Sequence, residues 1–152
     1  MGEVPDYVIR NRASWDGWAP EYEQTGRLNW TQDEPSWGIW SVPESELHLL
    51  PDNLEGLDVI ELGCGTGYVS AWLGRRGARP VGIDNSPAQL NTARAFQREF
   101  GLEFPLLEGN AGDREHREHA VGEKDQLPAG AQQPRGLGDP AVGVAPDARA
   151  VL

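Results

Sequence analysis

The residues best placed to do chemistry are seven in a row, Glu61-Leu62-Gly63-Cys64-Gly65-Thr66-Gly67, at the end of a short apolar run that begins at Asp58. Glycines at alternate positions let a chain turn sharply and let a ligand approach the backbone closely. Asp84 closes a second apolar run, Pro80-Val81-Gly82-Ile83-Asp84, and lies 21 residues after Gly63. An acidic side chain at the end of a strand beside such a turn can accept hydrogen bonds from two ribose hydroxyls. A dinucleotide loop spaces its glycines G-x-G-x-x-G to seat a pyrophosphate on a helix N-terminus. Here the third glycine comes one residue earlier, which counts against a nicotinamide cofactor.

These residues need strands and helices to hold them. The apolar run 58–62 reads as a strand, the glycines as a turn, and 68–76 as a helix burying Val69, Trp72 and Leu73. Gly77 suits the left-handed stop of that helix. Residues 80–84 read as a second strand. Ser86 is placed to cap a further helix with Pro87 at its first position. Leu90, Ala93, Phe96, Gln97 and Phe100 mark its inner side, and Gly101 ends it. Residues 104–108 supply a third strand. The order βαβαβ predicts an α/β fold with a parallel, doubly wound sheet.

Upstream, Trp15, Trp18, Ala19 and Tyr22 fall at i, i+3, i+4 and i+7, one face of a helix. The stretch GRLNWTQDEPSWGIW is aromatic but interrupted by Gly and Pro, and reads as a loop. Ser41 with Glu44 fits a capping box for a short helix carrying Leu47 and Leu50.

The chain has 152 residues, with 13 Lys+Arg against 24 Asp+Glu and a net charge of −11. The length suits one ordinary domain. The acidity argues against general nucleic-acid binding, which needs a basic face. The single Cys excludes an internal disulfide framework, no apolar run is long enough for a membrane span, and the first residues lack a signal peptide. A cytoplasmic protein is expected.

The aromatic residues are unevenly spread. All six Trp, three Tyr and three Phe lie at or before Phe104, and 18 of the last 42 residues are Ala, Gly or Pro. Such a segment buries too little to offset its ordering entropy and is expected to be disordered. No fourth strand is legible: Val121 is isolated, Leu127 precedes Pro128, and residues 141–145 are short and broken by Gly143. The first strand is then expected to be an open apolar edge. Loss of aromatics together with the missing strand predicts an out-of-frame or otherwise aberrant ending from about residue 112. The organisation expected is an aromatic, helical cover over 1–57, a βαβαβ core over 58–111 and a low-complexity tail over 112–152.

ELGCGTG, GIDNSP and LLEGNA together resemble the class I S-adenosylmethionine-dependent methyltransferases, most closely over about residues 58–111. The helix with Trp15, Asp16, Trp18, Ala19 and Tyr22 is similar to the N-terminal element of the family's small-molecule branch. The resemblance implies a Rossmann-like fold, here with three strands placed in an incomplete sheet. It implies S-adenosyl-L-methionine as cofactor and methyl transfer to a small-molecule acceptor. Glu61, Gly63, Gly65 and Gly67 would hold the methionine end, with the Cys64 backbone facing it. Asp84 would bind the ribose, with Asn85 and Ser86 beside the adenine and Asn110 and Ala111 at its edge. The family more often has Asp where Asn110 stands.

The chemistry so implied is in-line displacement at an already activated methyl group, governed by proximity and orientation. A general base serves only where the acceptor must lose a proton, and no residue is identified as one. Two other readings remain open: a nicotinamide-dependent oxidoreductase, and a non-catalytic fragment binding a partner through an open sheet edge.

Trp30, Trp37 and Trp40, with Trp15 and Tyr22, are candidates to cover the cofactor or line a substrate pocket, or else to form ordinary core. His116 and His119 have helical ligand spacing but sit in a charged run without a Cys partner, so no metal site is expected. Cys64 reads as a small residue in a tight loop, with no role as a nucleophile.

Overall fold

A computed structural model describes residues 4–112 and 149–151. In chain order it contains α1 (Asp6–Thr31), β1 (Ser36–Trp37), β2 (Val42–Pro43), α2 (Glu44–Leu47), β3 (Asp58–Leu62), α3 (Tyr68–Arg75), β4 (Arg79–Asp84), α4 (Pro87–Phe100), β5 (Leu106–Glu108) and β6 (Arg149–Val151). β3, β4 and β5 form the parallel sheet expected, in the order β5-β4-β3. Ile60 stands opposite Val81, and Ile83 opposite Leu107. The result is an incomplete Rossmann-like α/β fold, as the sequence predicts.

One expectation about this sheet is corrected. A fourth parallel strand, β6, pairs with the other side of β3, from Asp58 opposite Arg149 to Ile60 opposite Val151. β3 therefore has a neighbour on both sides over that stretch and is not an open edge. The three residues of β6 have no turn signal or apolar run to announce them; only pairing with β3 defines them. The rest of the expected tail, including His116, His119, Val121, Leu127 and residues 141–145, lies outside the described residues.

The local signals place the helix ends well. Ser86 caps α4 by accepting a hydrogen bond from the Gln89 N–H at 3.2 Å, with Pro87 in the first turn. Gly101 at φ 64° ends α4, and Gly77 at φ 87° follows α3. Leu90, Ala93 and Phe96 are buried on the inner side of α4, and Val69, Trp72 and Leu73 on that of α3.

Upstream of the sheet two readings are corrected. α1 does not stop near Tyr22 but continues through the expected loop to Thr31. Its Pro20 and Gly26 are both accommodated inside the helix. Gly26 marks a close approach: a Cβ there would lie 2.7 Å from Thr66 Oγ1. Further along that stretch, Ser36–Trp37 form β1, which pairs with β2 just beyond it to make a hairpin. The Ser41 capping box does not form. Ser41 takes a left-handed φ of 50°, and Pro43 occupies the N-cap of α2 without a side-chain bond.

The long helix α1 packs across α4 and α3. Trp30 is fully buried with Ala71, Phe96 and Phe104. Its ring stacks at 5.5 Å on Phe100 and at 6.1 Å on Phe104, and meets Phe96 edge-on. Its indole N–H donates to the Thr66 carbonyl at 2.9 Å. The Trp72 indole N–H donates to Asn29 O at 2.8 Å and ties α1 to α3. Arg12 pairs with Glu108 and Arg27 with Glu99 around the margin.

Candidate functional site

β3 and β4 run side by side and end at the same level, which brings Glu61 and Asp84 to one rim of the sheet. Between them the chain folds over the end of β4: the N–H groups of Gly63 and Cys64 both donate to the Ile83 carbonyl, at 2.8 and 3.0 Å. Gly63, Gly65 and Gly67 all have positive φ, 72°, 52° and 74°, so this turn is built from conformations that side-chain-bearing residues avoid. A Cβ on Gly63 would meet nothing within 4 Å, so the space above it is open.

That space is a cavity of about 360 Å³. The turn and the rims of β3 and β4 give it Glu61, Gly63, Cys64, Gly65, Asp84 and Asn85; the segment after β5 gives it Asn110 and Ala111. α1 closes the side with Trp15 and Tyr22. These sequence-predicted residues are thus brought together around one space. Gly67 and Ser86 are set back from it. Gly67 donates its N–H to Cys64 O and precedes α3, and Ser86 is the buried cap of α4.

The three remaining tryptophans are not on the cavity. Trp30 is core, behind the turn. Trp37 packs against Trp72 and donates its indole N–H to Glu44 at 2.6 Å. Trp40 is 82% exposed on the hairpin. Of the two readings open for these residues, core holds for Trp30, which α1 carries past the cavity and behind the turn; Trp37 and Trp40 lie beyond α1, on the β1–β2 hairpin, away from the cavity.

Four lining residues escaped the sequence reading: Asn11, Thr66, Tyr68 and Gln89. Asn11 was accessible in principle, since it lies four residues before Trp15 on the same helical face. Asp16 was seen only as part of α1. Its Oδ1 accepts from the Ser86 hydroxyl at 2.6 Å and the Ala88 N–H at 3.2 Å, so α1 holds the first turn of α4. No local pattern announces that contact.

Both acidic groups are buried and held. Asp84 Oδ2 accepts from the Gly65 N–H and Oδ1 from the Ser86 N–H, each at 2.8 Å. Glu61 Oε2 accepts from the Ser70 N–H at 2.8 Å and the Ser70 hydroxyl at 2.5 Å. Burial nevertheless pushes the Glu61 carboxyl up from 4.5 to about 7, against the pull of the Ser70 bonds. Burial, and then the charges of Glu61 and Asp84, drive the Cys64 thiol well above its ordinary range, which removes it as a nucleophile. Among the described residues no group of three or more His, Cys, Asp or Glu could hold a metal ion. Among them, too, no helix is long and apolar enough to cross a membrane.

Such a rim, with buried carboxylates, open backbone and aromatic walls, can receive a ligand that is cationic at one end and carries donor hydroxyls. Residues 59–121 match a family described as a methyltransferase domain. A ubiquinone biosynthesis O-methyltransferase from Methylobacterium sp. is 40% identical over 52 residues, 34% of this chain and 21% of that protein. A magnesium-protoporphyrin O-methyltransferase from Rhodobacter capsulatus is 46% identical over 48 residues, 32% of this chain and 21% of its own length. A crystal structure of a methyltransferase from Geobacter sulfurreducens is similar over 73% of this chain and 51% of that chain, at 22% identity and a TM-score of 0.41. The matched segment spans about a fifth of the length of these two curated relatives. With the glycine turn, Asp84 and the parallel βαβαβ order, the family match over residues 59–121 and the O-methyltransferase relatives support a likeness of this segment to the class I S-adenosylmethionine-dependent methyltransferases.

Proposed function

We propose that the cavity binds S-adenosyl-L-methionine and that the function is methyl transfer to the oxygen of a small-molecule acceptor. The observation that carries the reading is the pair of buried acids, Glu61 and Asp84, flanking a positive-φ glycine turn on one cavity. The residues suit the cofactor. Its positively charged end is favoured beside Glu61, whose carboxyl loses part of its desolvation cost when a cation neutralises it. Its ribose hydroxyls find free lone pairs on Asp84, because among the described residues each oxygen there accepts one backbone N–H. Gly63 and Gly65 keep side chains out of the way. Asn85, Asn110 and Ala111 are assigned to the adenine.

When bound, the cofactor supplies an activated methyl group. The chain's contribution is to orient it and exclude water. Residues 58–111 form the cofactor-binding core and 1–57 the cover. The curated relatives' names support oxygen as the accepting atom.

Calorimetric titration with S-adenosylmethionine and with S-adenosylhomocysteine tests the reading, alongside the melting temperature. Micromolar binding and a raised melting temperature are expected. Asp84→Ala should weaken binding roughly tenfold or more, as loss of a charge-assisted acceptor does. Heat and stabilisation from NAD alone, with none from either methionine-derived ligand, would replace this proposal by the oxidoreductase reading.

A further inference from the structure

Among the described residues lining the cavity, Gln89 carries a buried side-chain oxygen without a hydrogen-bond partner. It sits in the first turn of α4 and is 3% exposed. Its backbone N–H is satisfied by Ser86 Oγ. Its side-chain Oε1 is fully buried and has no hydrogen-bond partner among the described residues. Buried polar atoms are almost always paired, so an orphan on a cavity wall marks a place where a ligand completes the bonding. The carbonyl oxygen of a carboxamide only accepts, so the missing partner is a donor.

The position narrows the donor. Oε1 lies 4.0 Å from the point where a Cβ on Gly65 would stand. The N–H of the same Gly65 donates to Asp84 Oδ2. Gln89 and Asp84 therefore flank one glycine, and both offer acceptor lone pairs beside it. A vicinal diol presents two O–H donors on adjacent carbons and matches two neighbouring acceptors. We infer that the Gln89 carboxamide oxygen is a second acceptor for the ribose diol, so that the cavity selects a 2′,3′-dihydroxy riboside over its deoxy forms. The inference rests on the cofactor reading above.

The test compares the full chain with Gln89→Leu, using S-adenosylhomocysteine and its 2′-deoxy and 3′-deoxy forms as probes in calorimetry. The wild type should bind S-adenosylhomocysteine about tenfold more tightly than at least one deoxy form, the size expected for one hydrogen bond. Gln89→Leu should lose about tenfold on S-adenosylhomocysteine and almost nothing on that deoxy form. The ligand-free variant should melt no lower than wild type, because an orphaned polar atom has been removed. Gln89→Met serves the same comparison if the Leu variant does not fold. Equal loss on all three ligands, or no loss on any, overturns the role of Gln89 and leaves the cofactor reading standing. Failure of the wild type to bind any of the three overturns both.

Discussion

The glycine turn and the helix that lies behind it obey different rules. In the turn, the conformational demands are met by the residues that make them: positive φ by Gly63, Gly65 and Gly67, the last of which also stands at the N-cap of α3. In α1 the demands come from elsewhere in the chain. Gly26 is small because Thr66 presses on it, Trp30 is buried because Phe96, Phe100 and Phe104 surround it, and Asp16 faces the backbone of α4. Local chemistry shapes the cavity floor, and tertiary contact sets the wall against it.

The largest effect should come from breaking the contact that joins the two. Trp30→Ala removes a fully buried indole and its bond to the Thr66 carbonyl, on the underside of the turn. Loss of about 3–5 kcal/mol is expected, as for other large-to-small aromatic core changes. A 152-residue chain has little stability to spare, and denaturant unfolding should show early or absent cooperativity. A midpoint close to wild type would mean that α1 is an appendage and that the turn stands without it.

Glu61 probes the floor itself. Its folded carboxyl titrates near 7 against an ordinary 4.5, so the folded chain holds that proton more tightly than the unfolded one. The stabilisation is complete below about pH 4.5, falls as pH rises through about 7, and then levels. Glu61→Gln keeps the hydrogen bonds in large part and removes the titration. Its stability advantage over wild type should grow by up to about 3 kcal/mol between acid and alkaline pH. Melting temperatures measured from about pH 4 to about pH 9 give the difference directly; parallel curves would show that burial does not govern this carboxyl. A cationic ligand reverses the preference, so cofactor binding should release a proton and weaken below about pH 7.

Gly26→Ala asks how tightly the wall is seated. The new Cβ would come within 2.7 Å of Thr66 Oγ1 and 2.9 Å of Thr66 Cγ2. Overpacking of about 1–3 kcal/mol is expected, with the strain delivered to the turn. Chemical denaturation measures the cost. A stabilised variant, as an exposed helical Gly→Ala would give, would show that the close approach is not maintained.

The same division explains what the sequence disclosed. β3, α3, β4, α4 and β5 follow from turn glycines, caps and apolar periods within a few residues of each position. The extension of α1, the hairpin, and β6 do not, because each depends on a partner distant in sequence. Ten of the fifteen candidate site residues line one cavity; the turn glycines and Asp84 among them are legible from local chemistry, whereas Glu61, Cys64, Asn85, Asn110 and Ala111 come from the resemblance. Gly26 looked like a breaker only because a glycine's packing use is invisible without its neighbour. Ser41 and Glu44 had the spacing of a capping box but lie on either side of Pro43, which holds the N-cap in extended backbone. Gln89 was passed over because a glutamine in a helix is ordinarily a solvated residue.

The smallest effect separates sequence appearance from structural role most sharply. Trp37 and Trp40 are three residues apart in one aromatic stretch and invite a single interpretation. Trp37 is half-buried, edge-on to Trp72 at 6.3 Å and bonded to Glu44. Trp40 and its neighbour Ile39 are 82% and 87% exposed at the hairpin turn. Trp40→Ala should therefore change stability by no more than about 0.5 kcal/mol, the range of surface substitutions. It should leave S-adenosylhomocysteine affinity unchanged, because its side chain is not on the cavity. Trp37→Ala, by contrast, leaves Glu44 one donor short and opens the packing on Trp72, and should cost about 3 kcal/mol. Fluorescence-monitored unfolding of the two variants measures the gap. If Trp40→Ala costs as much as Trp37→Ala, the hairpin tip is packed rather than open, and the aromatic stretch acts as one unit.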